Sequence, residues 1–194
     1  VNENPQKDIY RFNRAFYPEI TTGVEALKIW NNDKRYSTVW LYCTKKDVFD
    51  RCNFEFPTVK IYEDLASIPE LIANSKSVAM LDYIGYNYFQ RADSIMGEQY
   101  SLKRLHAVEA KVQRQKFFEK NMPEMISKGR INLAFTCFYH GQLALKQLNR
   151  GEQKLVLNYL EQVVKDYGLN RKELMQLSIS HKFWVLLSKI SYVF

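Results

Sequence analysis

Apolar residues recur at helical spacing through the second half of this 194-residue chain, and this periodicity constrains the fold more than any other feature. The clearest run steps by three and four residues: Val156, Tyr159, Leu160, Val163, Val164 and Tyr167. This spacing places the apolar side chains on one face of an α-helix, and Gly168 supplies a stop. Residues 131–148 are apolar nearly all round, which predicts a buried central helix. The second half is therefore expected to form a helical bundle.

Two further signals mark helices in this half. Residues 102–120 carry leucines and valines three and four apart, which predicts another helix. Pro123 and Gly129 are expected to interrupt the chain after it. Asn170 with Glu173 resembles the capping box that opens a helix.

The first half has no single period and indicates mixed α/β structure. Helices are predicted over residues 21–31, over residues 45–51 and for about ten residues from Glu63. Short strands are predicted over four segments: 9–12, 36–42, 77–81 and 83–89. The predicted fold class is α+β, mostly α. The period changes near Gly97, so residues 1–97 and 98–194 are predicted to form separate domains.

Charge is distributed unevenly along the chain. The net charge is +7, and residues 98–194 hold 16 lysines and arginines against 8 acidic residues, whereas residues 1–97 hold 12 against 13. A basic excess of this kind is typical of proteins that bind nucleic acid or an anionic membrane surface, and also of ordinary solvated helical faces. Charge alone does not separate these three alternatives.

Other features exclude several classes of protein. The three cysteines form no paired motif, which favours a reducing compartment over a disulfide framework. No apolar run reaches the roughly 20 residues that span a bilayer, so a cytoplasmic protein is expected. The three histidines are dispersed, and no P-loop or Gly-x-Ser-x-Gly motif is present.

Four motifs follow one another within residues 36–96: Val39-Trp40-Leu41-Tyr42 with Lys45-Lys46, Asn53-Phe54-Glu55-Phe56-Pro57, Tyr62-Glu63-Asp64-Leu65-Ala66, and Tyr86-Asn87-Tyr88-Phe89-Gln90-Arg91-Ala92-Asp93-Ser94-Ile95-Met96. In this order they resemble the end of the catalytic domain of glycosyltransferase family 2, the large group that builds bacterial polysaccharides. The resemblance implies a partial GT-A α/β region followed by the helical bundle.

The acidic motif carries the chemistry that the resemblance implies. Transfer of a sugar to a hydroxyl needs a carboxylate that takes the hydroxyl proton. The resemblance assigns this general-base role to Asp64 and an orienting role to Glu63. A helix start favours an ionised carboxylate, and a neighbouring charge such as Glu63 raises its basicity again. An ordinary acidic helix start is the alternative interpretation.

Further residues are assigned to the two substrates. Arg91 and Ser94 are expected to face the donor diphosphate, because guanidinium and hydroxyl groups donate to phosphate oxygens. Many family members carry an arginine where this chain has Phe89, so either Arg91 substitutes for it or the contact is absent. The aromatic side chains expected to stack on acceptor sugars are Tyr62, Trp40 and Tyr86, with core packing as the alternative.

The donor-binding half of the family has no counterpart in this sequence. Members bind the nucleotide sugar and a divalent metal, Mg²⁺ or Mn²⁺, through an earlier Asp-x-Asp motif. We therefore expect the acceptor-side part of a longer enzyme, inactive alone, whose partners are a nucleotide sugar and a sugar or lipid-linked acceptor, with no role for nucleic acid. The basic and apolar segment 178–194 predicts a docked terminal helix or peripheral contact with an anionic membrane.

A function of another class remains open. A non-enzymatic, basic helical module that binds RNA or a protein partner would explain the charge of the second half. It would leave the order of the motifs in residues 36–96 unexplained.

Overall fold

The computed structural model describes residues 20–30, 38–55, 61–79, 81, 86 and 99–177. The chain divides into two compact units: residues 1–54 with 71–89 form the first, and residues 55–70 with 90–194 form the second. Gly97 lies outside the described residues, so the domain boundary near it stays a prediction.

Among its described residues, the first unit contains a short antiparallel pair of strands, two complete helices and the end of a third. Strand β1 (Ile20–Thr21) pairs with β2 (Val78–Ala79), with Ile20 opposite Ala79. Helix α1 (Gly23–Trp30) follows β1 directly and buries Ala26 and Leu27 completely or nearly so. The helix predicted over residues 21–31 is thus confirmed.

A glycine permits the start of α1 to approach the segment before β2. The Gly23 amide donates to the Ser75 carbonyl at 3.1 Å. A Cβ atom at this position would lie 2.5 Å from the same carbonyl oxygen and closer still to that of Ile72. Since these are backbone atoms that cannot rotate away, only glycine fits here.

Helix α2 (Lys46–Cys52) forms where a short helix is predicted. It buries Val48 and ends at Asn53, which adopts the left-handed conformation with φ 48°. Asparagine tolerates this conformation at a helix end, which explains the sharp stop.

The strand predicted over residues 36–42 is wrong for residues 38–42, the part that the structure describes. Val39–Leu41 form a 3₁₀ turn, closed by a 3.1 Å hydrogen bond from the Tyr42 amide to the Val39 carbonyl. Val39 is 46% exposed and Trp40 is 39% exposed. A run of three apolar residues predicts burial but does not reveal whether a partner strand exists, and here a local turn satisfies the backbone instead.

The other strand predictions have mixed outcomes. In the segment 77–81, Val78 and Ala79 pair as a strand, and Met80 lies outside the described residues. The segment 9–12 lies outside the described residues, as does 83–89 except for Tyr86.

Helix α3 (Glu63–Ala73) begins in the second unit, and the division between units falls within it, at Leu71. Its predicted apolar face is buried at Ile68, Leu71 and Ile72. The helix predicted from Glu63 is therefore confirmed.

Residues 99–177, the other described part of the second unit, are mostly helical. Its elements are a 3₁₀ turn (Leu102–Leu105), α4 (His106–Asn121), a second 3₁₀ turn (Pro123–Met125), α5 (Ile126–Gln147), α6 (Arg150–Tyr167) and α7 (Arg171–Gln176). Helices α4 and α6 both pack against α5, which is the central helix as predicted. Exposed Tyr139 and Leu145 show, however, that α5 is not buried all round.

One expected interruption is absent, because Gly129 lies inside α5. Its missing side chain leaves room for Gln115 and Phe118 of α4, which are 1% and 0% exposed. A Cβ at Gly129 would lie 2.9 Å from the Phe118 ring and even closer to the Gln115 amide oxygen. This glycine serves close helix packing rather than a chain break.

The bundle core lies between α4, α5 and α6. Its buried members are Tyr100, Val108, Leu133, Cys137, Ala144, Val156, Leu160 and Val163. Arg130 of α5 adds a polar tie, 3.5 Å from Glu119 of α4 and 3.8 Å from Glu173 of α7. The bundle is therefore stabilised by an apolar core and by the ion pairs of Arg130 with Glu119 and Glu173.

Two capping boxes define the last helix starts. Asn170 and Glu173 exchange the hydrogen bonds predicted for them, at 2.9 and 2.8 Å. Asn149 and Glu152 make the same arrangement at the start of α6, where the sequence indicates only a break. The predicted fold class, mostly helical α+β with a C-terminal helical bundle, is confirmed.

Candidate functional site

The residue before α3 has an unusual backbone. Tyr62 has φ 65°, and Asn53 is the only other non-glycine residue with positive φ in the described part of the chain. Asparagine adopts the left-handed region readily, whereas a bulky aromatic residue does so at a cost of about 1–3 kcal/mol. Contacts around Tyr62 must therefore hold it in place.

Asp64 lies one residue into α3 with its carboxylate fixed by the backbone. Its Oδ1 accepts the Leu65 amide proton at 2.8 Å, and the side chain is partly buried. Burial raises the pKa of Asp64 above its usual 3.8, the Leu65 amide opposes the rise, and the Glu63 charge adds to it. The net rise makes Asp64 a stronger proton acceptor than an exposed aspartate.

The Tyr62 hydroxyl is bound by a residue that sequence reasoning missed. Arg104 donates from Nη1 to the Tyr62 Oη at 3.0 Å. The two residues are 42 positions apart, and Arg104 belongs to a basic segment that has the composition of a solvated face. No local pattern in the sequence links them.

The 3₁₀ turn that carries Arg104 is anchored on α5. Tyr100, just before the turn, joins its hydroxyl to the His140 Nδ1 at 3.0 Å, and its amide donates to Gln147 Oε1 at 3.2 Å. Burial, followed by the charges of Arg104 and Lys111, lowers the pKa of His140 to about 4. His140 is therefore neutral at pH 7.

The same surroundings raise the pKa of Tyr100, whereas they lower that of His140. Burial, with the Tyr62 and Tyr139 phenols, raises the pKa of Tyr100 to about 12 against the lowering effect of Arg104. A neutral, hydrogen-bonded Tyr100–His140 pair thus sits next to the Arg104 guanidinium. Burial of neutral polar groups is tolerated when they bond to each other.

Two of the predicted sugar-stacking residues meet in the first unit. The Trp40 and Tyr86 rings stack with centroids 5.0 Å apart and an interplanar angle of 20°. Trp40 is 39% exposed and Tyr86 is 52% exposed. Together they form an exposed aromatic platform rather than part of a core.

The residues assigned to the site from the sequence are divided between the two units. Tyr62, Glu63 and Asp64 belong to the second unit, whereas Trp40 and Tyr86 belong to the first. Arg91 and Ser94 lie outside the described residues.

The described residues do not fit a metal centre. They contain no group of three or more His, Cys, Asp or Glu side chains that could hold an ion. The Mg²⁺ or Mn²⁺ that the resemblance implies is expected at an earlier Asp-x-Asp motif and stays a prediction.

None of the helices within the described ranges combines the length and apolar character that a membrane crossing requires.

No protein-family model, curated protein or solved structure matches the chain. The resemblance to glycosyltransferase family 2 consequently rests on the motifs of residues 36–96, and the function has to be inferred from the geometry around Asp64.

Proposed function

We propose that the chain is the acceptor-side part of a nucleotide-sugar-dependent glycosyltransferase and that Asp64 is its general base. The observation that carries the proposal is the Asp64 carboxylate, which is fixed at the start of α3 with its pKa raised by burial and by Glu63. The reaction class is the one implied by the motifs of residues 36–96, in synthesis of a polysaccharide or glycoconjugate.

In the proposed step, the acceptor hydroxyl transfers its proton to Asp64 while its oxygen bonds to the anomeric carbon of the donor sugar. The bond from that carbon to the diphosphate oxygen breaks, and the nucleoside diphosphate leaves with the electron pair. A further part of the protein holds the nucleotide and the divalent metal.

The environment of Asp64 suits this role. A carboxylate with a raised pKa has a larger driving force to accept a proton than an exposed aspartate has. The Leu65 amide donates to one carboxylate oxygen, Oδ1, and fixes the orientation of the carboxylate. Glu63 contributes through its charge.

The substrates in this proposal are a sugar acceptor, free or lipid-linked, and a nucleotide sugar. The Trp40–Tyr86 platform offers flat apolar surface of the kind on which sugar faces stack. Arg91 and Ser94 are proposed to bind the donor diphosphate. In this proposal the protein is cytoplasmic, in keeping with three cysteines that form no paired motif in the sequence, and it contacts an anionic membrane through residues 178–194.

The test is sugar transfer by the protein produced from the complete reading frame. The protein is incubated with a panel of nucleotide sugars, acceptors and Mn²⁺ or Mg²⁺, and release of nucleoside diphosphate is measured. Asp64→Asn should lower kcat by about 10²–10⁴-fold, the usual contribution of a general base. Asp47→Asn is the matched control, because Asp47 holds the same position in α2 but is 64% exposed and paired with Arg51. It should transfer at the wild-type rate.

Two results would contradict the proposal. One is wild-type transfer by Asp64→Asn. The other is the absence of transfer together with salt-dependent RNA binding by the 194-residue chain, which would support the binding-module alternative.

A further inference from the structure

We propose that Arg104 is a positioning residue, which acts through the Tyr62 hydroxyl to hold the turn that presents the Asp64 carboxylate. The proposal rests on the proposed function only for the role of Asp64 as a base. The positioning itself concerns geometry within the second unit.

The backbone at Tyr62, just before α3, is strained. Tyr62 has φ 65°, and the next two residues are Glu63 and Asp64. A relaxation of Tyr62 to an ordinary backbone conformation would redirect the start of α3 and with it the Asp64 side chain. Strained backbone of this kind persists only where the surroundings over-determine it.

A hydrogen bond from Arg104 restrains the Tyr62 side chain. The tie that the structure shows on the Tyr62 side chain is the 3.0 Å hydrogen bond from Arg104 Nη1. A charged donor makes this bond stronger than a neutral one would be. The bond fixes the phenol, and the phenol fixes the backbone to which it is attached.

The 3₁₀ turn that carries Arg104 is itself anchored. The turn follows Tyr100, which is bound to α5 through both its hydroxyl and its amide. A chain of contacts therefore runs from His140 and Gln147 through Tyr100 and Arg104 to Tyr62. Each link is a hydrogen bond or a short stretch of backbone.

Direct electrostatics do not account for the arrangement. The influences on the Asp64 pKa are burial, two backbone amides and the Glu63 charge, and Arg104 is not among them. Arg104 thus affects Asp64 through position, and a hydrogen-bond donor without charge should replace it in part.

The test measures the pKa of the Asp64 side chain in the 194-residue chain by NMR titration of its carboxyl carbon. We expect Arg104→Met and Tyr62→Phe each to bring this pKa down towards 3.8, because a relaxed turn exposes Asp64 to water. The double variant should show the shift of one single variant, since both changes break the same bond. Arg104→Gln, which keeps a donor, should restore part of the wild-type value.

Lys103→Met is the matched control, since Lys103 lies on the same 3₁₀ turn, is exposed and carries the same charge. It should leave the Asp64 pKa unchanged. An unchanged Asp64 pKa in both Arg104→Met and Tyr62→Phe would overturn the proposal, as would additive shifts in the double variant. If Arg104→Met fails to fold, Tyr62→Phe and Arg104→Gln decide the question.

Transfer assays then separate this inference from the proposed function. In the protein from the complete reading frame, Arg104→Met should lower kcat by about 10- to 100-fold with acceptor KM nearly unchanged, as expected for a misplaced base. If the Asp64 pKa shifts in the variants but the wild type transfers no sugar, the proposed function is wrong and the positioning role of Arg104 stands. If the pKa does not shift but the wild type is active, the positioning role is wrong and the proposed function stands.

Discussion

At the scale of single residues, Asp64 and Asp47 hold the same helix position in different surroundings. An acid near a helix start is usually stabilised by the helix dipole, by about 0.3–1 kcal/mol. Asp47 fits this description, since it is exposed and lies 3.6 Å from Arg51. Asp64 does not, because burial and Glu63 raise its pKa despite the helix start. This difference is the reason that Asp64, and not Asp47, is proposed as the base.

The difference predicts opposite effects of the same substitution on stability. The pKa of Asp64 is higher in the folded chain than in the unfolded chain. The folded chain is therefore destabilised as the pH rises through the folded-state pKa and Asp64 loses its proton. Asp64→Asn should therefore increase the free energy of unfolding at pH 7, whereas Asp47→Asn should decrease it by about 0.3–1 kcal/mol. Urea denaturation of the 194-residue chain measures both, and a loss of stability in Asp64→Asn would contradict the cost of burying the Asp64 charge.

His140 predicts a dependence of stability on pH. Its pKa is lowered from 6.5 to about 4 in the folded state, so the unfolded chain binds a proton that the folded chain does not between these values. Stability is fully present above pH 6.5 and is lost as the pH falls towards 4. The wild type should lose up to about 3 kcal/mol more than His140→Gln over this range. Parallel pH profiles for the two proteins would show that His140 is accessible to protons when folded.

The sequence reveals Asp64 but not the residues that hold it. Tyr62-Glu63-Asp64 is visible as a local motif before an apolar face, so the acid and its helix are predictable. Arg104 and His140 become neighbours of Tyr62 and Tyr100 only through tertiary packing. Sequence periodicity carries no information on such distant pairs.

At the scale of helices and strands, the helices are more predictable than the strands. A helix satisfies its own backbone and displays its apolar face at a fixed period, which is why α3 and α6 appear where the pattern places them. A strand needs a partner, and the segment Val39–Leu41 forms a turn instead. The capping box at Asn170 is predictable for the same local reason as the helices.

Gly129 predicts a sharp contrast between two glycines in helices. Gly129→Ala should destabilise the chain by about 1–3 kcal/mol, because the new methyl group meets buried Gln115 and Phe118. Gly151→Ala, at the start of α6, meets only the Asn149 side chain at 3.4 Å and should stabilise by up to about 1 kcal/mol. Thermal and urea denaturation compare them, and equal stability of the two variants would contradict the packing described for α4 and α5.

At the scale of the whole molecule, the charge and the contacts divide the chain in different ways. The basic excess follows the sequence beyond residue 97, whereas the second compact unit also includes residues 55–70 and therefore the acidic motif. Composition locates the bundle, but only the folded chain shows that Asp64 belongs to the same unit as α4 and α5. The proposed base thus belongs to the same compact unit as the helical bundle.

The most direct test of the central claim is the pH dependence of kcat/KM for sugar transfer by the protein from the complete reading frame. If Asp64 is the general base, kcat/KM should fall on the acid side with an apparent pKa above the ordinary aspartate value of 3.8. That acid limb should be absent from the residual activity of Asp64→Asn. A profile with the same limb and the same magnitude in wild type and Asp64→Asn would contradict the assignment of Asp64 as the base.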